Sequence, residues 1–416
     1  MANFGADDFD FAAEFAEFAG YVGTQELFKV VRKVVHKLSL LDPAPRRLFG
    51  TRYFFHEQID EFTEGALPFI LDASSPLAVR AATLIAGVNR AKAGMSDVAQ
   101  SRLRRMMLDN LTPDRDIRQI EHEFRAFIHV RQMFSAVEFA DLEGHGNFDL
   151  LCTTGGASVE VECKTVSEDT GNPIKNEMVV NLSQIFLSSL RKRPPVDESG
   201  LFYLKFKSDP GSSKTIQQDL KSALAAPFVR VIDCQHATID FLPRPTWRSN
   251  LETLPPDELR NFMSDDPDIK GRSHCFTKIG ADMFALVLET SRMSMLAERI
   301  PRILKDAADQ LSGTGASMIW LHFVGFAEEE FRALVEFSKN GMGGGLNALV
   351  AEAVSPGGSS FKDRSHVNVV RFSGEPVEAQ RHSTATEEGV VHRTSMGGAA
   401  YDVRNPFARH QLNIKF

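Results

Sequence analysis

Residues 146–165 read GNFDLLCTTGGASVEVECKT, and within them Asp149, Glu162 and Lys164 are spaced so that they can act together. Two strand-like runs flank Thr153-Thr154-Gly155-Gly156, a composition suited to a tight turn between antiparallel strands. Successive strand side chains point to opposite faces, so Val159, Val161 and Cys163 share one face and Glu160, Glu162 and Lys164 the other. The hairpin brings Asp149 back to the same edge of the sheet as Glu162. Two carboxylates held together suit Mg²⁺, a hard cation that takes oxygen ligands and keeps several waters; Mn²⁺ is the alternative. The backbone carbonyl of Cys163, and not its thiol, is a third candidate ligand. A cation in that place lowers the pKa of bound water and clamps a phosphate. The neighbouring ammonium orients the water or neutralises developing charge. These are the needs of phosphodiester hydrolysis.

The elements around the hairpin decide whether those groups meet. A helix is expected from Pro113-Asp114 to about Met133, with Ile117, Ile120, Phe124, Phe127 and Ile128 as its apolar stripe. Glu121 and Glu123 border that stripe, and either could supply a third acid. Glu123, three residues past Ile120 and four before Phe127, is the preferred candidate. Strands are expected at 136–141, 147–153 and 158–166, a helix at 175–191 and a strand at 201–207. In that last strand Phe202, Leu204 and Phe206 alternate with Tyr203, Lys205 and Lys207, which makes Lys205 and Lys207 the candidate nucleic-acid contacts. The order of helix, three strands, helix and strand fits an α/β domain.

This constellation resembles the PD-(D/E)XK, or restriction endonuclease-like, nuclease superfamily. Its pattern is an acid on a first helix, an aspartate on one strand, (E/D)-x-K on the next, and then a helix. EHEFRAFIHVRQMFSAVEF, GNFDLL and SVEVECKT match it in residue type and order over about residues 115–210, with Phe148 in place of the name-giving proline. Some members carry a glutamine on the helix after the lysine, where Gln184 would stand. The resemblance implies a mixed central sheet flanked by helices, dependence on Mg²⁺, and cleavage of DNA or, as second choice, RNA, in bacterial defence, restriction or repair. The alternative is an inactive protein of the same fold that binds nucleic acid or scaffolds a complex. A lone (D/E)-x-K is weak: Pro267-Asp268-Ile269-Lys270 spells it better but lies in a proline-rich stretch with no hairpin. The plain competing reading of Glu162 and Lys164 is a solvated ion pair of little energetic worth.

The rest of the chain is expected to divide into a helical N-terminal region (1–114), the nuclease-like core (115–242), a linker or long loop (243–274), an α/β extension (275–375) and a tail (376–416). In the extension a strand is expected at 282–290, helices at 296–311 and 327–338, and a strand at 317–324. Residues 1–20 alternate acids with phenylalanines. Phe11, Phe15 and Phe18 at helical spacing read as an arm packed on its own protein, or as a docking segment for a protein partner. The helix at 24–37 sets Lys29, Arg32, Lys33, His36 and Lys37 opposite four valines. With a net charge of −8, any contact with nucleic acid needs a local basic patch, a bridging cation or a partner. No two of the four cysteines have C-x-x-C spacing, so no zinc site is suggested. His122 and His129 read as core or surface histidines, and no zinc-protease helix, Walker A sequence or nucleophile elbow occurs. No basic leader or membrane-length apolar run is seen, so a cytoplasmic location without membrane contact is expected.

Overall fold

The computed structural model describes residues 10–41, 52–64, 75–113, 115–167, 169–192, 199–207, 213–225, 231–253, 262–263, 265–269, 273–279, 281–290, 296–326, 345–354, 364–374, 380–386, 389–395 and 400–405, with positions 46, 331, 335 and 408 between and beyond them. The chain forms two compact units: Met1–His36, Thr51–Thr170 and Leu296–Phe416 make the first, and Lys37–Gly50 with Gly171–Met295 the second.

The first unit begins with helices α1 (Phe11–Val22), α2 (Thr24–Ser39, which runs on past the unit boundary), α3 (Phe54–Glu64), α4 (Pro76–Lys92), α5 (Asp97–Asn110) and α6 (Arg118–Val130). Side-chain caps explain three of the starts: Asp10, Ser75 and Ser96 accept from the amides of Ala13, Ala78 and Ala99. Strand β1 (Ala136–Phe139) leads into one helical turn, α7 (Ala140–Glu143), so the strand expected over 136–141 stops two residues early. Strands β2 (Leu150–Thr154) and β3 (Ala157–Ser167) follow as an antiparallel hairpin. Their turn is Gly155-Gly156 with φ of 56° and 81°. Two successive positive φ values are what a two-residue turn needs to match the strand twist, and glycine reaches them without strain.

The second unit holds α8 (Asn176–Lys192), β4 (Gly200–Phe206), α9 (Ser213–Ala225), β5 (Val231–Asp233), β6 (Ala237–Pro243), α10 (Pro245–Thr253), β7 (Ser273–Ile279) and β8 (Asp282–Glu289). Its sheet has the order β5-β6-β4-β8-β7, with β4 and β8 parallel and the other pairs antiparallel. Phe202, Leu204 and Phe206 pack with α8 and α9, whereas Leu201 and Tyr203 face Trp247, Met263 and Ile269. The chain then returns to the first unit with α11 (Leu296–Gln310), β9 (Ala316–Val324), α12 (Leu346–Val354) and β10 (Val367–Gly374). A ribbon of β11 (Gln380–Thr386) and β12 (Gly389–Ser395) precedes the last strand, β13 (Ala400–Arg404).

The sheet of the first unit has the order β1-β2-β3-β9-β10-β13. The strands of β3, β9 and β10 run parallel, through crossovers that include α11 and α12, and the outer pairs are antiparallel. One face carries a core in which Phe18, Leu27, Phe55, Leu84 and Leu103 join Phe124, Val161 and Trp320. The other packs Val166, Ile319 and Leu321 against Leu304 of α11 and Val350 of α12.

The protein is thus mixed α/β with two mixed sheets, and four expected boundaries are corrected. Apart from Lys37–Gly50, which belongs to the second unit, the helical region 1–114 joins α6 and the sheet in one core, because its apolar stripes find their partners there. The expected core 115–242 is split after Thr170. The helix at 175–191 and strand at 201–207 are α8 and β4 of the second unit, and the helix that packs on β3 from the face opposite α6 is α11. Residues 243–274 are not simply a linker: Trp247, Met263 and Ile269 are buried there in the second unit's core. The extension 275–375 is divided between the units, and the tail contributes β13 to the sheet edge. Most of the helix expected at 327–338 lies outside the described residues. Among the described residues no helix is long and apolar enough to cross a membrane.

Candidate active site

β3 is the spine of the site. Val159, Val161 and Cys163 are buried in the α6-side core, and Glu160, Glu162 and Lys164 alternate with them. Because Leu150 pairs with Val161, Asp149 stands just before β2 beside the Glu162–Cys163 step. Its Oδ2 accepts from the Cys163 amide at 2.6 Å, while its own carbonyl accepts from the Ala140 amide at 2.9 Å. Lys164 Nζ makes a short contact with Glu162 Oε1 and donates to Gln310 Oε1 at 3.1 Å. Glu162 is 0% exposed, and its Oε2 has no hydrogen-bond partner. Glu160 accepts from the amide of Ser312 at 2.8 Å and from its hydroxyl, which fixes the turn between α11 and β9.

The choice between the two helix acids falls out of the packing. Glu121 is buried against α4, where Arg80 Nε and Nη2 donate to its two oxygens at 2.8 and 2.5 Å. Burial pushes its carboxyl up, but Arg80, with Arg125 and Arg118, pulls it below the ordinary carboxylate range. Glu123 shows the opposite behaviour. Burial, then the charges of Asp149, Asp141 and Glu162, hold its carboxyl well above that range. Its charge is therefore felt at the hairpin, and Glu121 is spent on a structural pair.

Burial and mutual repulsion set the electrostatics of the whole group. Asp149 is pushed up to about 8 by burial and by Glu162. Glu162 is raised by burial, with Lys164 offsetting part of the effect. Burial would lower Lys164, but Glu162 and Asp149 raise it overall, so it stays an ammonium. Cys163 is no nucleophile: burial and the surrounding carboxylates push its thiol well up.

Two residues were not anticipated. Asp141 adds a fourth carboxyl whose charge raises Glu123, Asp149 and Glu162. It is displaced from the expected strand by the single turn α7, and the Ala140–Asp149 hydrogen bond holds that turn beside the site. Gln310 reaches Lys164 from the end of α11; Gln184, the glutamine considered from sequence, lies on α8 in the second unit. The helix itself was legible from its apolar stripe over 296–311, but nothing local said that its last residue, Gln310, would reach Lys164.

Lys205 and Lys207 belong to the second unit. Lys205 Nζ lies 3.6 Å from Asp240 Oδ2 and 4.9 Å from the Tyr203 ring centre. Lys207 Nζ donates to the Cys234 carbonyl at 2.6 Å and lies 2.7 Å from Asp233 Oδ1. Both are engaged with acids of their own sheet. The decoy at 267–270 is structural: Asp268 pairs with Arg244 and Ile269 is buried, while Lys270 lies outside the described residues. Phe11, Phe15 and Phe18 are buried in the chain's own core, with Phe11 4.7 Å from Phe62. For the described part of the N-terminal segment this is the first of the two readings, an arm packed on its own protein, and those rings are not offered to a partner. Lys29, Arg32, Lys33, His36 and Lys37 are all exposed on α2.

Among the described residues no three His, Cys, Asp or Glu side chains converge closely enough to hold an ion as they stand. No protein-family model, curated protein or solved structure matches the chain.

Proposed function

We propose that this chain is a divalent-cation-dependent nuclease that hydrolyses phosphodiester bonds in DNA, with Asp149, Glu162, Lys164 and Glu123 as its reacting groups. The observation that carries this reading is the gathering of buried carboxyls around one ammonium at the β2–β3 hairpin, with Glu162 Oε2 left unpartnered. A buried oxygen with no donor is costly unless a cation or donor meets it. Further support comes from the order α6-β1-β2-β3-α11-β9. It sets an acid-bearing helix, an aspartate beside β2, Glu-x-Lys on β3 and then a helix in the sequence the PD-(D/E)XK pattern requires. The second unit is carried between β3 and α11.

The donor set fits Mg²⁺ or Mn²⁺: all candidate ligands are hard oxygens, from Asp149, Glu162 and the Cys163 carbonyl. Such an ion would supply Lewis acidity and a water of lowered pKa. The remaining work falls to the chain. Lys164, fixed by Glu162 and Gln310, neutralises charge developing on the phosphorus oxygens or orients the attacking water. Asp149, pushed up to about 8, holds a proton near neutral pH when no cation is present, and Glu123 is raised in the same direction, so loading the site displaces protons and is favoured as pH rises.

The test is cleavage of plasmid, linear and single-stranded DNA and of RNA with Mg²⁺ or Mn²⁺. Glu162→Ala and Lys164→Ala should each lower the rate by about 10²-fold or more, with circular dichroism unchanged. Equal cutting by the wild type and both variants ends the proposal. A second reading, a non-catalytic nucleic-acid binder, is favoured by the lack of a converged ligand group among the described residues. It requires that the wild type bind DNA and cut nothing under any of these conditions.

A further inference from the structure

We infer that the exposed basic stripe of α2, made of Lys29, Arg32, Lys33 and His36, is a docking face for the phosphate backbone of double-stranded DNA. It lies on a different element from the carboxylate hairpin. The choice of DNA as the polyanion rests on the proposed function; the charge argument does not.

Lys29, Arg32, Lys33 and His36 follow one another at i, i+3, i+4 and i+7, so they share one side of α2, and all four are exposed. The other side is spent on the fold, with Leu27, Val31 and Val34 buried. Among the described residues no acid lies within ion-pair distance of Lys29, Arg32 or Lys33. Glu26 is the only acid in α2, and Arg104 of α5 stands beside it. Arg104 Nε donates to the Val22 carbonyl at 2.9 Å, and a Cβ at Gly23 would meet Glu26 Oε2 at 2.7 Å and Arg104 Nη2 at 2.9 Å. The acid is thus offset from another helix and leaves the stripe uncompensated. Other basic helix faces of the unit are mixed: α5 sets Asp97 and Asp109 among its arginines, and α11 sets Glu298, Asp306 and Asp309 among Arg299 and Arg302. Like charges one turn apart, such as Lys29 and Lys33, cost a helix stability, so the row works against the fold. On a chain of net charge −8 it is a local concentration of the opposite sign.

The partner's chemistry follows from what the face lacks. A lipid surface takes up the apolar side of an amphipathic helix, and Leu27 and Val31 are already committed to the unit's own core. A protein interface has an apolar or aromatic centre, and the stripe offers none. A phosphate backbone needs only cations at a regular spacing, and such contacts set position without reading sequence. The step from Lys29 to His36 covers about 10 Å of helix, which matches about three phosphate steps along one strand of B-DNA.

The test is fluorescence anisotropy of a labelled DNA duplex with the full chain in EDTA, so that nothing is cut, over a series of KCl concentrations. The wild type should bind with a steep salt dependence. Lys29→Gln/Arg32→Gln/Lys33→Gln should weaken binding by about tenfold or more and lower the slope of log K against log salt by about 2–3. Each single change should lower it by about 1, and the single variants decide the matter if the triple variant fails to fold. Arg115→Gln/Arg299→Gln/Arg302→Gln removes the same charge from other exposed positions of the unit and should leave the slope unchanged. Equal losses in the two triple variants would reduce the effect to net charge and overturn the inference. So would identical isotherms for the wild type and the α2 variant, or α2-dependent binding to phosphatidylserine vesicles with none to DNA. Cleavage by the wild type in Mg²⁺, with DNA binding undiminished in the α2 variant, ends this inference alone. Binding through α2 without any cleavage ends the nuclease reading alone.

Discussion

Two buried polar clusters hang from the same helix and behave in opposite ways. His122 and Glu123 are adjacent on α6, yet one joins the imidazoles under β9 and the other the carboxyls at the β2–β3 hairpin. In the imidazole cluster burial favours the neutral form: His122 is lowered to about 4, and His322 well below its ordinary value. In the carboxyl cluster burial also favours the neutral form, but for acids this raises the pKa, to about 8 at Asp149. The same desolvation therefore makes one end of the unit sensitive to acid and the other to base.

The comparison can be broken most forcefully at α6. Glu121→Gln removes the carboxylate facing buried Arg80 and should cost about 3–5 kcal/mol of stability by urea unfolding. Glu123→Gln should leave stability equal or higher while reducing cleavage by about tenfold or more. The reverse pattern would show that the two acids have been given each other's roles.

A smaller effect tests the sign at the hairpin. With its folded pKa raised from the usual aspartate value to about 8, Asp149 costs nothing at pH values below the unfolded value, and its destabilisation builds up as pH rises from there and is complete above about 8. Asp149→Asn should therefore match the wild type near pH 4 and exceed it by about 2 kcal/mol at pH 9, allowing for partial exposure. Equal differences at both pH values would remove the claim of repulsion. The smallest effect lies at the other end. His122 is lowered, so its share of stability is complete above pH 6.5 and is lost as pH falls toward about 4. His122→Gln, whose amide can still donate to the Trp320 carbonyl, should flatten that acid limb by about 1 kcal/mol.

The hairpin was legible in the sequence because period-two alternation and Gly-Gly punctuation are local signals, and the expected strand boundaries lie within three residues of those formed. The preference for Glu123 over Glu121 also came from a local argument, the distance of each acid from one apolar stripe. Local patterns could not say which distant helix covers β3. Helix α8 follows the lysine directly and carries a proper stripe, yet it closes a different core with Phe186 and Phe202. Asp141 escaped because a single helical turn has no periodicity to detect. Trp247 and Ile269 escaped because proline and aspartate around them mimic the composition of a linker.

Placing the second unit between β3 and α11 has a consequence for synthesis. Lys164 and Gln310 are 146 positions apart, and the parallel neighbour of β3 is β9. Emerging from the ribosome, the hairpin must wait for the whole intervening unit before its inner edge can be zipped. Such long-range pairings raise contact order and slow folding. The nascent polypeptide thus carries Asp149, Glu162 and Lys164 for a long interval before the strand that borders β3 and the helix that holds Lys164 have been made.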